Sequence, residues 1–147
     1  MFVCAARIPR KAAAIRSAAL AACGAVLATF NVAAPVQAAS AAELSGTWSG
    51  SGTVALANGA REKVRCRANY THTGGRTYAM AATCATAAAK VSQTAILSQN
   101  TQNRFGGTFY NPEFGVTGRI RVIVSGKRQT IYLTGSAGNA TFSMARQ

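Results

Sequence analysis

Apolar and polar residues alternate along most of the chain after residue 43, which is the pattern of strands with one buried face. Between residues 44 and 54, the even positions carry Leu, Trp, Val and Gly, and the odd positions carry Ser and Thr. We therefore predict about eight short strands and no helix of useful length. The same alternation returns in seven further segments: 63–71, 79–87, 91–99, 105–109, 116–124, 131–135 and 140–144. Of these, 91–99 alternates less cleanly than the others.

Turn-forming pairs separate the predicted strands, among them Asn58-Gly59, Asn111-Pro112 and Ser125-Gly126. A three-residue loop over 57–59, with Gly59 in the left-handed conformation, keeps the apolar faces of its two strands on the same side. Sequential strands joined by tight turns form a meander, and closing the meander removes its exposed edges. The predicted fold is all-β: a single antiparallel up-and-down β-barrel, with an open β-sandwich as the alternative.

The two cysteines of the strand region, Cys66 and Cys84, are symmetric about Gly75, within a turn predicted over residues 71–76. A hairpin folded there places them opposite each other, on the face that also carries Val64 and Tyr70. We predict a disulfide between them. It would contribute about 3 kcal/mol to stability by restricting the unfolded chain.

Residues 1–38 have the features of a signal peptide. A basic segment is followed by an apolar run over 17–36 and by the small-x-small sequence Val36-Gln37-Ala38, which predicts cleavage before Ala39. A rival interpretation is a lipoprotein, because the sequence around Cys23 has the letters of a lipobox. The alanine- and arginine-rich leader is typical of a high-GC bacterium. We therefore expect a periplasmic or secreted domain over 39–147, with no membrane span after processing.

The charge balance of residues 39–147 argues against an enzyme. Twelve Lys or Arg residues face three glutamates, so the net charge is +9. Glu43, Glu62, Glu113 and His72 are the whole supply of general bases, and they are scattered singly. Four such groups far apart in sequence also make a poor metal site. We expect a non-enzymatic protein with no metal and no cofactor.

The basic residues fall on the outward faces of two predicted strands: Lys63, Arg65 and Arg67 on one, Arg119 and Arg121 on the other. A surface of this sign attracts polyanions in a salt-dependent way. We expect an anionic envelope component or an acidic protein as the partner. Nucleic acid is not expected, because it belongs to another compartment and no row of aromatic residues accompanies the basic ones.

Many inward positions of the predicted barrel are Ala or Gly. Small residues there allow the larger side chains to interdigitate, or they leave a cavity, since an eight-stranded barrel can hold one small ligand. A carrier of a small apolar ligand is therefore an alternative function.

The sequence Leu44-Ser45-Gly46-Thr47-Trp48, which opens the β domain, resembles the Gly-x-Trp start of lipocalin-like barrels. In that superfamily the tryptophan plugs one end of the barrel, often under an arginine from the last strand. The resemblance implies that Trp48 is the plug and that Arg146 contacts it as a cation–π pair.

Within this group, residues 42–48 together with one cysteine pair are similar to small periplasmic inhibitors of bacterial metalloproteases. Those proteins insert an N-terminal segment into the protease cleft. The resemblance implies an inhibitory segment here, and a protease as a partner. That segment would be short, since it comprises only Ala39, Ser40, Ala41, Ala42 and Glu43. The chain from Lys90 onward shows nothing of the family.

Overall fold

The computed structural model describes residues 41–147, which form eight strands. The predicted signal peptide, including Cys23, lies outside the described residues. No helix within the described part of the chain is long and apolar enough to cross a membrane. The strands are β1 (Gly46–Leu56), β2 (Arg61–Gly74), β3 (Thr77–Ala85), β4 (Lys90–Thr101), β5 (Arg104–Asn111), β6 (Val116–Ser125), β7 (Arg128–Gly135) and β8 (Gly138–Arg146).

Each strand pairs antiparallel with its neighbours in sequence, and β1 also pairs with β8, so the sheet closes into a barrel. The predicted up-and-down barrel is therefore confirmed, and the sandwich alternative is wrong. Closure pairs the outer edges of β1 and β8, so neither edge stays exposed, and the apolar faces of all eight strands are buried around one interior.

The first hairpin has the predicted three-residue loop. Val54 pairs with Glu62, the Leu56 N–H donates to the Ala60 carbonyl at 2.8 Å, and Gly59 has a φ of 87°. A left-handed residue at that point favours glycine. This register keeps Val54 and Val64 on the inner side of the barrel.

The second hairpin has a shorter turn than the one predicted over residues 71–76. β2 continues to Gly74 and β3 begins at Thr77, with a register shift between His72 and Gly74. The shift absorbs one residue, as a β-bulge does, so the ladder continues beyond the predicted strand end. The imidazole of His72 then lies 5.0 Å from the ring of Tyr78.

The interior is filled by the inward residues of all eight strands, and the two ends of the barrel differ. The closed end carries Trp48, the loops 75–76, 102–103 and 126–127, and both termini of the described chain. The opposite end, which we call the cup end, carries the loops 57–60, 86–89, 112–115 and 136–137. Because the strands form a meander, successive loops alternate between these ends.

Candidate functional site

An open cavity of about 540 Å³ occupies the cup end of the barrel, and we call it the cup. Its volume lies within the range of small-molecule sites in proteins, about 300–1,000 Å³. The apolar part of its wall includes Val54, Val64, Val91, Phe109, Val116 and Phe142. Polar residues line it at five positions: Glu62, Thr86, Gln93, Asn111 and Asn139.

Small residues create the space inside the cup. Ala140 and Gly135 line its wall, where larger side chains would fill it. Phe109 is accommodated by Gly118 on the adjacent strand, because a Cβ atom there would lie only 2.5 Å from the Phe109 ring. The small inward residues therefore do both things expected of them: one lets a ring pack closely, and others leave a cavity.

The interior beneath the cup is closely packed. The void there has a volume of about 20 Å³, and it is bordered by Ala68, Met80 and Ile120, among others. A space of that size holds about one water molecule, so a ligand cannot pass through the barrel. Gln93 borders both the cup and this void, and its side-chain amide makes no hydrogen bond to the described residues.

The loop 112–115 holds an aromatic ring at the mouth of the cup. Phe114 lines the cup and is 68% exposed. Two side chains fix the loop: Asn111 Oδ1 accepts the Phe114 N–H at 3.2 Å, and Glu113 Oε1 accepts the Ser92 N–H at 2.9 Å. The ring therefore lies at the edge of the cup opening.

The closed end is sealed by Trp48, which is fully buried and donates from Nε1 to the Leu44 carbonyl at 2.9 Å. The guanidinium of Arg146 lies 4.5 Å from the Trp48 ring and donates to the carbonyls of Glu43 and Ser45. The Trp48–Arg146 contact implied by the resemblance to lipocalin-like barrels is therefore present.

A buried polar pair lies at the same end. Burial raises the pKa of the Tyr70 phenol well above its ordinary value, an effect that neighbouring Gln129 partly opposes. Neither the Tyr70 hydroxyl nor Gln129 Oε1 makes a well-formed hydrogen bond, although Gln129 Nε2 lies 3.6 Å from Met144 Sδ. The pair is enclosed by the core and does not reach the cup.

The disulfide lies inside the barrel at the level of the cup floor. Cys66 and Cys84 occupy opposing positions on β2 and β3, and their sulfur atoms are bonded at 2.02 Å. Both side chains are buried, and Cys84 lines the cup. The bridge therefore ties together two strands of the cavity wall.

The N-terminal segment that the resemblance implicates in inhibition is held against the closed end. The Ala42 N–H donates to the Gln102 carbonyl at 2.7 Å, and the Ser45 N–H donates to Glu43 Oε1 at 2.7 Å. Hydrogen bonding by the Ser45 side chain, followed by its N–H, lowers the pKa of Glu43 below its ordinary value. Ala41 is exposed, whereas Ala39 and Ser40 lie outside the described residues. Inhibition through this segment remains a prediction.

The two groups of basic residues lie on opposite sides of the barrel. Lys63, Arg65 and Arg67 project from β2, and Arg119 and Arg121 project from β6, four strands away in a closed ring of eight. All five side chains are exposed. One small partner therefore cannot contact both groups.

On the β2 side, the outer surface forms a broad groove of about 970 Å³. Its floor is made of small residues of β3 such as Ala81 and Ala85, and Arg65 and Arg67 line it together with Lys90 of β4. Lys90 is not indicated by the sequence alone, because the β3–β4 pairing is needed to place it near the arginines. The groove is larger than the cup but open along its length.

The β6 side is different. Arg121 lies over the ring of Tyr132, with its guanidinium carbon 4.8 Å from the ring centroid. This cation–π contact engages one of the two arginines with the barrel surface.

Among residues 41–147, no group of three His, Cys, Asp or Glu side chains could hold a metal ion.

No family model matches the sequence, and no curated protein matches it. The fold resembles solved barrels at low sequence identity. A redesigned β-barrel, mFAP1, bound to DFHBI, has a TM-score of 0.59 at 13% identity, covering 71% of this chain and 94% of that one. Rv2717c from M. tuberculosis has a TM-score of 0.53 at 13% identity, covering 71% and 92%. These similarities define the class as a small closed β-barrel and carry the fold alone.

Proposed function

We propose that the protein binds a small, largely apolar molecule in the cup at the open end of its barrel. The observation that carries the proposal is the cup itself, an apolar cavity of about 540 Å³ enclosed by the strands and closed below by a packed core. Each 100 Å² of apolar ligand surface removed from water contributes about 2.5 kcal/mol. The barrel offers such burial at one end only among the described residues, because Trp48 fills the other.

Binding without catalysis is part of the proposal. Glu62 is the one side chain of the cup lining that can ionise, since Cys84 is held in the disulfide. A general base needs a partner that it activates or that orients it. The cup lining contains no histidine, lysine or free thiol to act with Glu62. The polar groups of the cup are instead suited to orient a ligand. As a parallel, mFAP1, a barrel of the same fold, is bound to DFHBI in its own structure.

The direct test is to fill the cup. Val116 is half-buried in its wall, and the next residue, Thr117, is exposed on the outer face of the same strand. We expect Val116→Trp to weaken binding of the neutral fluorescent probe N-phenyl-1-naphthylamine at least about tenfold, a loss of about 1.4 kcal/mol. Thr117→Trp adds the same ring outside the barrel and should leave the affinity unchanged.

Native mass spectrometry of the purified protein would show whether a ligand is retained from the cell. Co-purified small-molecule mass in the wild type and its loss in Val116→Trp would support the proposal. If the probe does not bind to the wild type, or binds equally well to both tryptophan variants, the cup is not a ligand site.

The basic groove on the β2 side supports a second candidate function, binding of an anionic partner. Arg65, Arg67 and Lys90 line it, with no carboxylate among the lining residues. An anionic envelope component or an acidic protein matches this charge.

A periplasmic or secreted location is part of the same proposal. It is supported by the leader sequence and by a disulfide, which persists in an oxidising compartment.

A further inference from the structure

The charged residues are distributed unevenly around the cup. The protein is strongly basic, yet the single charged side chain in the cup lining is an acid, Glu62. The four loops of the cup end contain no lysine or arginine, and they include a second carboxylate, Glu113. The basic loop residues lie at the closed end, where Arg76 and Lys127 occur. Arg61 and Lys90, the first residues of β2 and β4, also lie at the cup end but are not part of the cup lining, so the acidic character belongs to the lining and not to the whole end of the barrel.

Glu62 is available to a ligand. It pairs with Val54 in the β1–β2 ladder, so strand alternation turns it to the cup side, whereas its neighbours Arg61 and Lys63 turn outward. Its carboxylate makes no hydrogen bond or ion pair with the described residues. Glu113 differs, because its carboxylate already accepts the Ser92 N–H. Glu62 is thus the unpaired charge at the entrance of an apolar cavity.

We infer that the cup selects amphiphiles by the charge of their polar end and takes a cationic amine at Glu62 in preference to a carboxylate. The inference rests on the proposed function of the cup. An amine at the mouth gains an ion pair with Glu62. A carboxylate in the same place is repelled by Glu62 and finds no lysine or arginine in the lining. Gln93, with its unpaired amide on the floor, can bind a neutral polar group, so it does not distinguish the two charges.

The size of the preference follows from exposure. Glu62 is solvent-exposed, so an ion pair with it is weak, and Arg61 and Lys63 nearby reduce the local negative potential. Attraction of the amine and repulsion of the carboxylate add, so we expect about a fivefold difference in affinity between them. Salt should reduce it, since the charges lie at the surface.

The test uses three ligands with the same alkyl chain, decylamine, decanol and decanoate, competing at neutral pH with N-phenyl-1-naphthylamine. Wild type should bind the amine about fivefold more tightly than the carboxylate, with decanol in between. Glu62→Gln should bring the amine and the carboxylate together, and Glu62→Lys should reverse their order. Glu43→Gln is the matched control: it removes the same charge at the closed end and retains an acceptor for the Ser45 N–H.

The outcomes separate this inference from the function on which it rests. If decanol binds but the amine and the carboxylate bind equally, or if Glu62→Gln leaves their ratio unchanged, the cup binds ligands and the inference is wrong. If Glu43→Gln changes the ratio as much as Glu62→Gln, net charge rather than Glu62 sets the preference, which also overturns it. If none of the three ligands displaces the probe, the proposed function fails and the inference fails with it.

Discussion

Trp48 and Arg146 pair directly across the seam where β1 and β8 close the barrel, with the guanidinium 4.5 Å from the indole ring. The same guanidinium donates to the carbonyls of Glu43 and Ser45. One side chain therefore joins the last strand, the first strand and the segment that precedes it. These contacts hold the closed end together, and the cup lies at the other end of the barrel.

Removal of Arg146 should destabilise the fold. We expect Arg146→Ala to lower the free energy of unfolding by about 2 kcal/mol, because a partly buried cation–π contact and hydrogen bonds from a charged donor are lost together. Arg128→Ala is the control, since Arg128 is exposed near the same end. Urea unfolding of the two variants measures the difference. Equal losses would show that the Trp48 contact contributes little.

The disulfide should contribute about 3 kcal/mol to stability, as expected for a bridge between residues 18 positions apart. The double variant Cys66→Ala, Cys84→Ala should unfold at a correspondingly lower urea concentration. A reducing agent should destabilise the wild type by a similar amount and leave the double variant unchanged. Because Cys84 lines the cup, the variant should also bind the cup probe more weakly. A reduced wild type as stable as the oxidised protein would contradict the expectation.

The strand pattern predicted a meander and favoured the barrel over the sandwich, because each hairpin is local and most strands show their buried face in sequence. The symmetric positions of Cys66 and Cys84 about Gly75 are such a local signal, because they predict the pairing within one hairpin. The cup could not be predicted in the same way. It depends on how eight strands end relative to one another around a closed ring, and on loop conformations such as the one that brings Phe114 to the mouth.

Some of the site was nevertheless visible in the alternation. Glu62 shares its parity with Val64 and Cys66, so it is a carboxylate in an inward position, which is an unusual place for a charge. The basic residues that alternate with Glu62 dominate the segment and obscure this signal. Lys90 carried no such signal. It lies on β4, and only the order β2-β3-β4 in the sheet brings it to the same groove as Arg65 and Arg67 of β2.

Tyr70 should make the protein less stable in alkaline solution. Burial raises the phenol pKa in the folded state, so above about pH 10 the unfolded chain loses a proton that the folded protein keeps. Stability is therefore fully present below that pH and falls as pH rises further. Tyr70→Phe should weaken this decline. At neutral pH it should change stability by less than about 0.5 kcal/mol, because the buried hydroxyl has no well-formed hydrogen bond to lose.

The measurement is the free energy of unfolding from urea titrations on both sides of that pH. Tyr110→Phe is the matched control, since Tyr110 is 47% exposed on the outer face. The prediction is wrong if Tyr70→Phe and the wild type lose stability with the same slope, or if Tyr70→Phe costs several kcal/mol at neutral pH.

The two basic faces should differ in their contribution to polyanion binding. Arg65→Glu with Arg67→Glu changes the net charge as much as Arg119→Glu with Arg121→Glu, but only the first pair lines the groove with Lys90. We expect the first double variant to elute from a sulfated-polysaccharide column at much lower salt than the second. Arg121 is in addition engaged by Tyr132, which leaves it less able to follow a flexible anion. Equal shifts would mean that net charge alone governs binding. If the wild type were retained undiminished at high salt, an electrostatic site would be excluded. The reason is that interactions between exposed charges are screened within about 3 Å at 1 M salt.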